Sequence, residues 1–438
     1  MHGLSTALSA DRTYRAEATA QALPGRLELV LLFVALIMFS GGVLPRLISA
    51  EQSADGSPLL RLMWLPVYAL TLAAIAWKAK AMAITALRMP FMLALIALAG
   101  LSCLWSIDPG LSQRRGLAIA MTCLAGMFIG TRYDWKTLLR MFGMVWLTVS
   151  VLSFLTALLN PSFGVMQDVH VGAWMGLYFE KNQLGGNMAR AAFLCGFLFL
   201  MDRPWRKLWA FGVVLCAVMV LFTTSKTALL GLLLGMAVLG IGAWMKRGLL
   251  TGLVITWAGV VMAGIFVAVM IFAPELIFAA LGRDPSLTGR TDIWAALVDM
   301  IGQRPWFGYG YGAFWATDSE PAYWVREILE WDAPTAHNGW LEVALALGLV
   351  GLACLVLDFC MTLWRALRSS LSTWTGIFAL GVCVQFILFS LSESISLQQN
   401  DLTWITYVAV AAQLTKRARR DSRFKRGPSR PGLQSVAT

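Results

Sequence analysis

The chain has 438 residues, of which 58% are hydrophobic and 13% charged, with a net charge of +11. Soluble domains carry about 25% charged residues, so a soluble globular enzyme is excluded and an all-α polytopic membrane protein is expected. The basic excess follows the positive-inside pattern rather than forming a patch, so nucleic acid is not expected as a partner.

Residues 1–26 are polar and lack the apolar core of a cleavable signal peptide; they read as a cytoplasmic tail. Residues 27–414 read as a transmembrane bundle. Apolar runs long enough to cross, or nearly cross, a hydrocarbon core of about 30 Å begin near Leu27, Leu60, Met89, Gly116, Met141, Leu184, Leu208, Thr227, Leu249, Asn338, Ser372 and Asp401. They predict about twelve transmembrane helices. Between spans 9 and 10 lies one large extracytoplasmic, partly helical loop, residues 274–336. Residues 415–438 form a basic tail suited to the cytoplasmic face and to anionic headgroups. With both termini inside, the majority of the 35 basic residues fall in the cytoplasm. The seven cysteines lie in predicted spans, are odd in number and form no CxxC pair, so neither a disulfide framework nor a zinc site is indicated.

In this topology the even-numbered spans start on the outer side, and four of them start beside polar clusters. Glu180, Lys181 and Asn182 precede span 6, Thr223-Thr-Ser-Lys226 precedes span 8, and Thr335-Ala-His-Asn338 opens span 10. Gln398-Gln-Asn400, with Glu393 upstream, precedes span 12. A helix amino terminus presents unpaired N–H groups and partial positive charge, which favours anions. Lys181, Lys226 and Arg290 add full charges. Each cluster alone is also what ordinary helix capping leaves; the set on one side suits a pocket for a diphosphate. Arg190, one or two turns into span 6, is an intramembrane charge and so a functional candidate.

Within the long loop, Thr288-Gly289 caps a predicted helix from Arg290 to about Gly302, ended by Pro305. Ile293, Trp294, Leu297, Met300 and Ile301 share one face of it. The run Trp306-Phe-Gly-Tyr-Gly-Tyr-Gly-Ala-Phe-Trp315 follows. Alternating glycine and aromatic residues, Tyr309 among them, suit stacking on a sugar, and equally suit a membrane interface. His337 is one of three histidines and stands beside Asn338, near Glu342.

Taken in order, Leu104-Trp-Ser-Ile-Asp-Pro109, Phe179-Glu-Lys-Asn-Gln-Leu-Gly185, Thr224-Ser-Lys-Thr-Ala-Leu229, Gly289-Arg-Thr-Asp-Ile-Trp294, Pro305-Trp-Phe-Gly-Tyr-Gly310, Ala336-His-Asn-Gly-Trp-Leu341 and Glu393-Ser394 with Asn400 and Trp404 resemble the O-antigen ligase and polymerase (Wzy/WaaL) superfamily. The likeness is greatest to its exopolysaccharide polymerase, ExoQ-like, branch. The resemblance implies an inner-membrane enzyme that takes a glycan from undecaprenyl diphosphate and transfers it to an acceptor hydroxyl, with inversion and without metal or other cofactor. Arg290 matches the family's diphosphate-binding arginine, and His337 the histidine at its reaction centre. Ligases of the family commonly show an arginine near spans 7 and 8; this chain has Lys226, which fits the polymerase branch better. A lysine holds phosphate as a point charge without the bidentate fork.

The chemistry needs charge stabilisation for the leaving diphosphate and a base for the acceptor hydroxyl. No outward Asp-x-Asp pair is present to hang a metal on, so Lys181, Lys226, Arg290 and helix termini are the expected clamp. His337 is the expected base, Glu180 and Glu393 its reserves, with Arg190, Asn182, Asn338, Trp294 and Tyr309 lining the substrate. Expected partners are the lipid-linked oligosaccharide, the growing polysaccharide, the bilayer, and a chain-length regulator and flippase. A ligase moving finished polymer onto lipid A core or protein, and a transporter or flippase, remain open alternatives.

Overall fold

The structure is a computed structural model describing residues 24–42, 45–48, 58–168, 170–246, 248, 290–329 and 333–416. The expected span near Leu249, the first part of the long loop and most of both tails lie outside these residues. Regular structure among the described residues is helical. Along the chain run α1 (Arg26–Phe39), α2 (Pro58–Trp77), α3 (Ala79–Leu87), α4 (Pro90–Leu101), α5 (Pro109–Arg132) and α6 (Trp135–Leu159). They are followed by α7 (Lys181–Met201), α8 (Arg206–Phe222), α9 (Lys226–Met245), α10 (Arg290–Gln303), α11 (Glu320–Leu329), α12 (Gly339–Ser370), α13 (Trp374–Ser390) and α14 (Leu402–Leu414). Side chains preferred at helix starts cap several of them: Asp108 accepts from Leu111 N at 2.9 Å, Thr373 from Gly376 N at 3.0 Å and Asp401 from Trp404 N at 2.8 Å.

Among the described residues, six helical segments are long and apolar enough to cross a membrane: α2, α6, α7, α8 with its preceding turn, α9 and α12. A seventh is gained if α3 and α4 are one broken span, bent by 99°. The break falls where Pro90 opens α4, as a ring that blocks helix continuation dictates. Helices α1, α13 and α14 have 14, 17 and 13 residues, short of the roughly 20 a perpendicular span needs. Helix α5 has 24 residues but carries Arg114 and Arg115 near its start. Among the described residues, helices stand at or near the expected places other than that near Leu249, and six or seven segments meet the length and hydropathy of a span.

Helix α7 is the centre of the bundle, buried almost without interruption from Leu184 to Leu198. At the bundle end remote from Lys181, ion pairs lock the helices. Arg132 is bidentate to Glu28 at 2.9 and 3.0 Å, and Arg140 Nε bonds Asp202 at 2.8 Å.

Helix α10 takes nearly the bounds expected, and its apolar stripe is covered by protein rather than by lipid. Ile293, Leu297 and Met300 pack with Tyr309, Phe314, Val325, Ala336 and Leu345 in a small core of their own. That core sits on a break in α12. Gly348, at φ 68° and ψ −169°, interrupts the helix, and a break at membrane depth is tolerated only where protein satisfies the freed groups. Tyr309 N donates to Leu345 O at 2.8 Å, Gly310 N to Ala346 O at 3.0 Å, and Leu349 N to Pro305 O at 2.7 Å. The glycine–aromatic run therefore lets backbone approach backbone: a Cβ on Gly308 would stand 2.4 Å from Leu345 O. The segment from Leu104 to Pro109 completes this seam. Trp105 Nε1 donates to Phe307 O at 2.9 Å, and Ile107 N to Tyr309 O at 3.0 Å.

Candidate functional site

The amino-terminal ends of α7 and α9 lie side by side, and Arg190 of α7 has as electrostatic neighbours Asp401, which caps α14, and Glu393, which stands beside His337 ahead of α12. Lys181, the first residue of α7, donates from Nζ to Thr224 Oγ1 at 3.4 Å. Thr224 itself is held at φ 53°, next to Ser225, which caps α9 ahead of Lys226. Close approach of the two helices requires Gly185, where a Cβ would lie 2.8 Å from the Cβ of Ala228. Lys226 is exposed, and Glu180, Lys181 and Asn182 are half-buried. This stretch of sequence thus builds paired helix starts with two lysines at their mouths.

About two and a half turns deeper along α7, Arg190 lies over the Phe389 ring at 4.6 Å and donates from Nη2 to Asn187 Oδ1 at 2.7 Å. Its Nε and Nη1 are shut off from solvent and make no hydrogen bond. Asp401, Tyr178 and Glu393 are its electrostatic neighbours. Burial pushes the Tyr178 phenol well above its usual range, so it stays neutral and donates to Ser40 O at 3.2 Å.

His337 lies just outside α12 at φ 46°, the left-handed region that costs a non-glycine residue about 1–2 kcal/mol. Its surroundings enforce this conformation. Asn338 caps α12, accepting from Trp340 N at 3.0 Å and Leu341 N at 3.2 Å. On the other side, Ala336 N donates to Glu342 Oε1 at 2.6 Å, and Trp294 Nε1 donates to Ala336 O at 3.0 Å. Glu342 also accepts from Trp315 Nε1 at 3.1 Å and from Ser394 Oγ at 3.0 Å. Glu342 is therefore the knot joining the long loop, α12 and the 390s loop. The imidazole's own carboxylate is Glu393: Nδ1 stands 3.6 Å from Oε2, just beyond hydrogen-bond reach. Both side chains remain partly open, at 17% and 20% exposure.

Of the residues singled out from sequence, His337, Glu393 and Arg190 form one cluster, and Lys181 joins the start of α9 ahead of Lys226. Asn338 and Trp294 shape the backbone that presents His337. Tyr309 is buried at 2% exposure with its hydroxyl donating to Met300 O at 2.8 Å, a place in the small core. Arg290 opens α10; the position of its side chain lies outside what the structure describes. Asn187 and Phe389 are not singled out from sequence; Asp401 enters there only as a span start, and Trp315 only as the end of the glycine–aromatic run. Asn187 could have been found from its spacing, since positions i and i+3 of a helix share a face. Among the described residues no group of three or more His, Cys, Asp or Glu side chains is placed to hold a metal.

Fold and site together define a multi-pass helical membrane protein whose ionisable groups gather where several helices start. Residues 211–356 match the O-antigen ligase family, a stretch from α8 to the middle of α12 that includes Lys226, Arg290 and His337. The chain is also similar to the exopolysaccharide production protein ExoQ of Rhizobium meliloti (strain 1021), 27% identical over 282 residues. That alignment covers 61% of this chain and 63% of ExoQ. Both matches support the resemblance drawn from the motifs, to the O-antigen ligase superfamily and its ExoQ-like branch. With the apolar helices they point to a multi-pass bacterial membrane protein of O-antigen ligase/polymerase type.

Proposed function

We propose that the chain is a glycosyltransferase of the bacterial inner membrane that polymerises undecaprenyl-diphosphate-linked oligosaccharide repeat units into exopolysaccharide or O-antigen. It works on the periplasmic face, with about twelve spans, both termini cytoplasmic and residues 274–336 outside. The observation that carries the reading is the His337–Glu393 pair at 3.6 Å, with the Arg190 guanidinium an electrostatic neighbour of Glu393. With Nδ1 turned to the carboxylate, Nε2 is the nitrogen left to accept a proton, the arrangement a base and its orienting acid require.

In the proposed step an acceptor hydroxyl oxygen attacks the anomeric carbon of the lipid-linked glycan from the face opposite the diphosphate. The carbon–oxygen bond to phosphate breaks, the diphosphate leaves with the electron pair, and the hydroxyl proton passes to His337 Nε2. Inversion follows from the single displacement. Lys181, Lys226, Arg190 and Arg290 stabilise the departing negative charge, a role worth a few kcal/mol per well-placed donor. The clamp serves without a metal ion. A growing glycan is the acceptor, with a flippase supplying repeats and a chain-length regulator limiting them.

The O-antigen ligase family match favours a second reading, transfer of finished polymer to lipid A core or protein. Product pattern distinguishes them. Incubation of the purified chain with lipid-diphosphate-linked repeat units yields a ladder of whole repeats if it is a polymerase. Capping of a separate lipid or protein acceptor marks a ligase, and unchanged substrate marks a transporter and overturns the proposal.

A further inference from the structure

At the opposite end of α7, a cavity of about 630 Å³ opens at the turn into α8, lined by Phe199, Arg203, Pro204, Trp205, Arg206 and Lys207 among others. At 1.5 Å per residue, α7 separates it from Lys181 by about 30 Å. It is therefore not part of the site described above.

Three cations occur here within five residues, and the neighbouring acid cannot neutralise them. Asp202 is buried at 2% exposure, bonded by Arg140 Nε at 2.8 Å and by Trp209 Nε1 at 3.1 Å. It neither caps the turn that follows it nor forms an ion pair with Arg203, Arg206 or Lys207 among the described residues. The Arg206 guanidinium is steadied 4.3 Å from the centroid of Phe199, and Trp205 is 47% exposed beside it. Below the cations the wall turns apolar, through Leu208 and Ala210. The exposed face of α8 continues that surface through Phe211 and Val214, at 53% and 62% exposure.

We propose that this cavity binds the phosphate headgroup of an anionic phospholipid, with an acyl chain lying along Phe211 and Val214. Cations attract anionic headgroups at a membrane surface, and basic pockets between spans hold them specifically. Arginine adds bidentate phosphate contacts that a lysine cannot make. The apolar continuation distinguishes a lipid from free phosphate, which would use only the rim. Occupancy here would fix the turn that sets the axis of α7, the helix carrying both Lys181 and Arg190.

The test uses the full chain in a neutral detergent, titrated with phosphatidylglycerol, phosphatidylcholine or inorganic phosphate. Retained lipid is read by native mass spectrometry, and thermal stability in parallel. Phosphatidylglycerol is expected to stay bound and raise the melting temperature, as a ligand of the native state must; the other two are expected to do neither. The combined Arg203→Gln, Arg206→Gln and Lys207→Gln variant should lose the retained lipid. If that variant does not fold, single Lys207→Gln should bind roughly fivefold more weakly, the share of one cation near a headgroup surface. Equal phosphatidylglycerol binding by the wild type and a folded variant overturns the proposal. So does phosphatidylcholine binding as well as phosphatidylglycerol, or inorganic phosphate stabilising to the same degree.

Discussion

Replacing His337 separates chemistry from architecture because its backbone sits where glycine is at home. At φ 46° a histidine carries about 1–2 kcal/mol of left-handed strain, which His337→Gly relieves and His337→Ala retains. Against that relief stand the greater freedom of glycine in the unfolded chain, up to about 1 kcal/mol, and the loss of the imidazole's contact with Glu393. That contact, at 3.6 Å between partly exposed side chains, is worth at most about 1 kcal/mol. The terms nearly cancel, so the glycine variant should unfold within about 1 kcal/mol of wild type. Its turnover should nevertheless fall by about two to four decades, the usual contribution of a positioned base. His337→Ala should lose as much turnover and be somewhat less stable than His337→Gly. His337→Gln should fail to rescue if a proton is transferred, and rescue in part if the ring only donates a hydrogen bond. Melting curves in detergent, alongside the initial rate of glycan extension, read both quantities on one preparation. A folded glycine variant with near-normal turnover would refute the reasoning and leave His337 a packing residue.

Glu342→Ala should destabilise the chain by about 2–4 kcal/mol, since it strands the donors of Trp315, Ala336 and Ser394; Glu342→Gln, which keeps an acceptor, should be milder, as melting in detergent will show. Gly348→Ala should reduce folded, detergent-extractable protein sharply, because its Cβ would stand 2.2 Å from Trp306 backbone atoms at φ 68°; size-exclusion profiles would record normal yield if the helix break were dispensable. Arg290→Ala should abolish product at normal protein level, Arg290→Lys should recover little of it, and Lys226→Arg should be far milder than Lys226→Ala in polymer yield per folded protein. Alkaline phosphatase fused after Glu320 should be active and after Lys246 inactive; an active Lys246 fusion would invert the topology and remove the periplasmic site.

Much of this was legible one helix at a time. The Arg290–Gln303 helix announces itself through a capping Thr-Gly, a 3.6-residue apolar period and a terminating proline, all local signals. Helix starts at Lys181, Lys226 and Gly339 are likewise written in their flanking polar residues. What the sequence withheld is pairing across distance. Glu342, near His337 in the chain, remains an electrostatic neighbour of the ring but accepts its hydrogen bonds from Ala336 N, Trp315 and Ser394. Glu393, far along the chain, takes the place beside the ring. The glycine–aromatic run was ambiguous because the absence of a Cβ serves a ligand and a neighbouring backbone equally. The break at Gly348, which a sequence of apolar residues conceals, shows that the backbone of α12 is what Gly308 approaches, while Gly310 and Gly312 close on Ser106 and Arg115.

The most direct test of the account is the initial rate at which purified protein in detergent extends a lipid-diphosphate-linked oligosaccharide with EDTA present. No gradient exists in detergent, so transport cannot contribute. The account predicts whole-repeat extension at an undiminished rate in EDTA, abolished in folded His337→Ala. Activity lost in EDTA and restored by Mg²⁺ would contradict the cationic clamp, and extension by His337→Ala at the wild-type rate would contradict the assignment of the base.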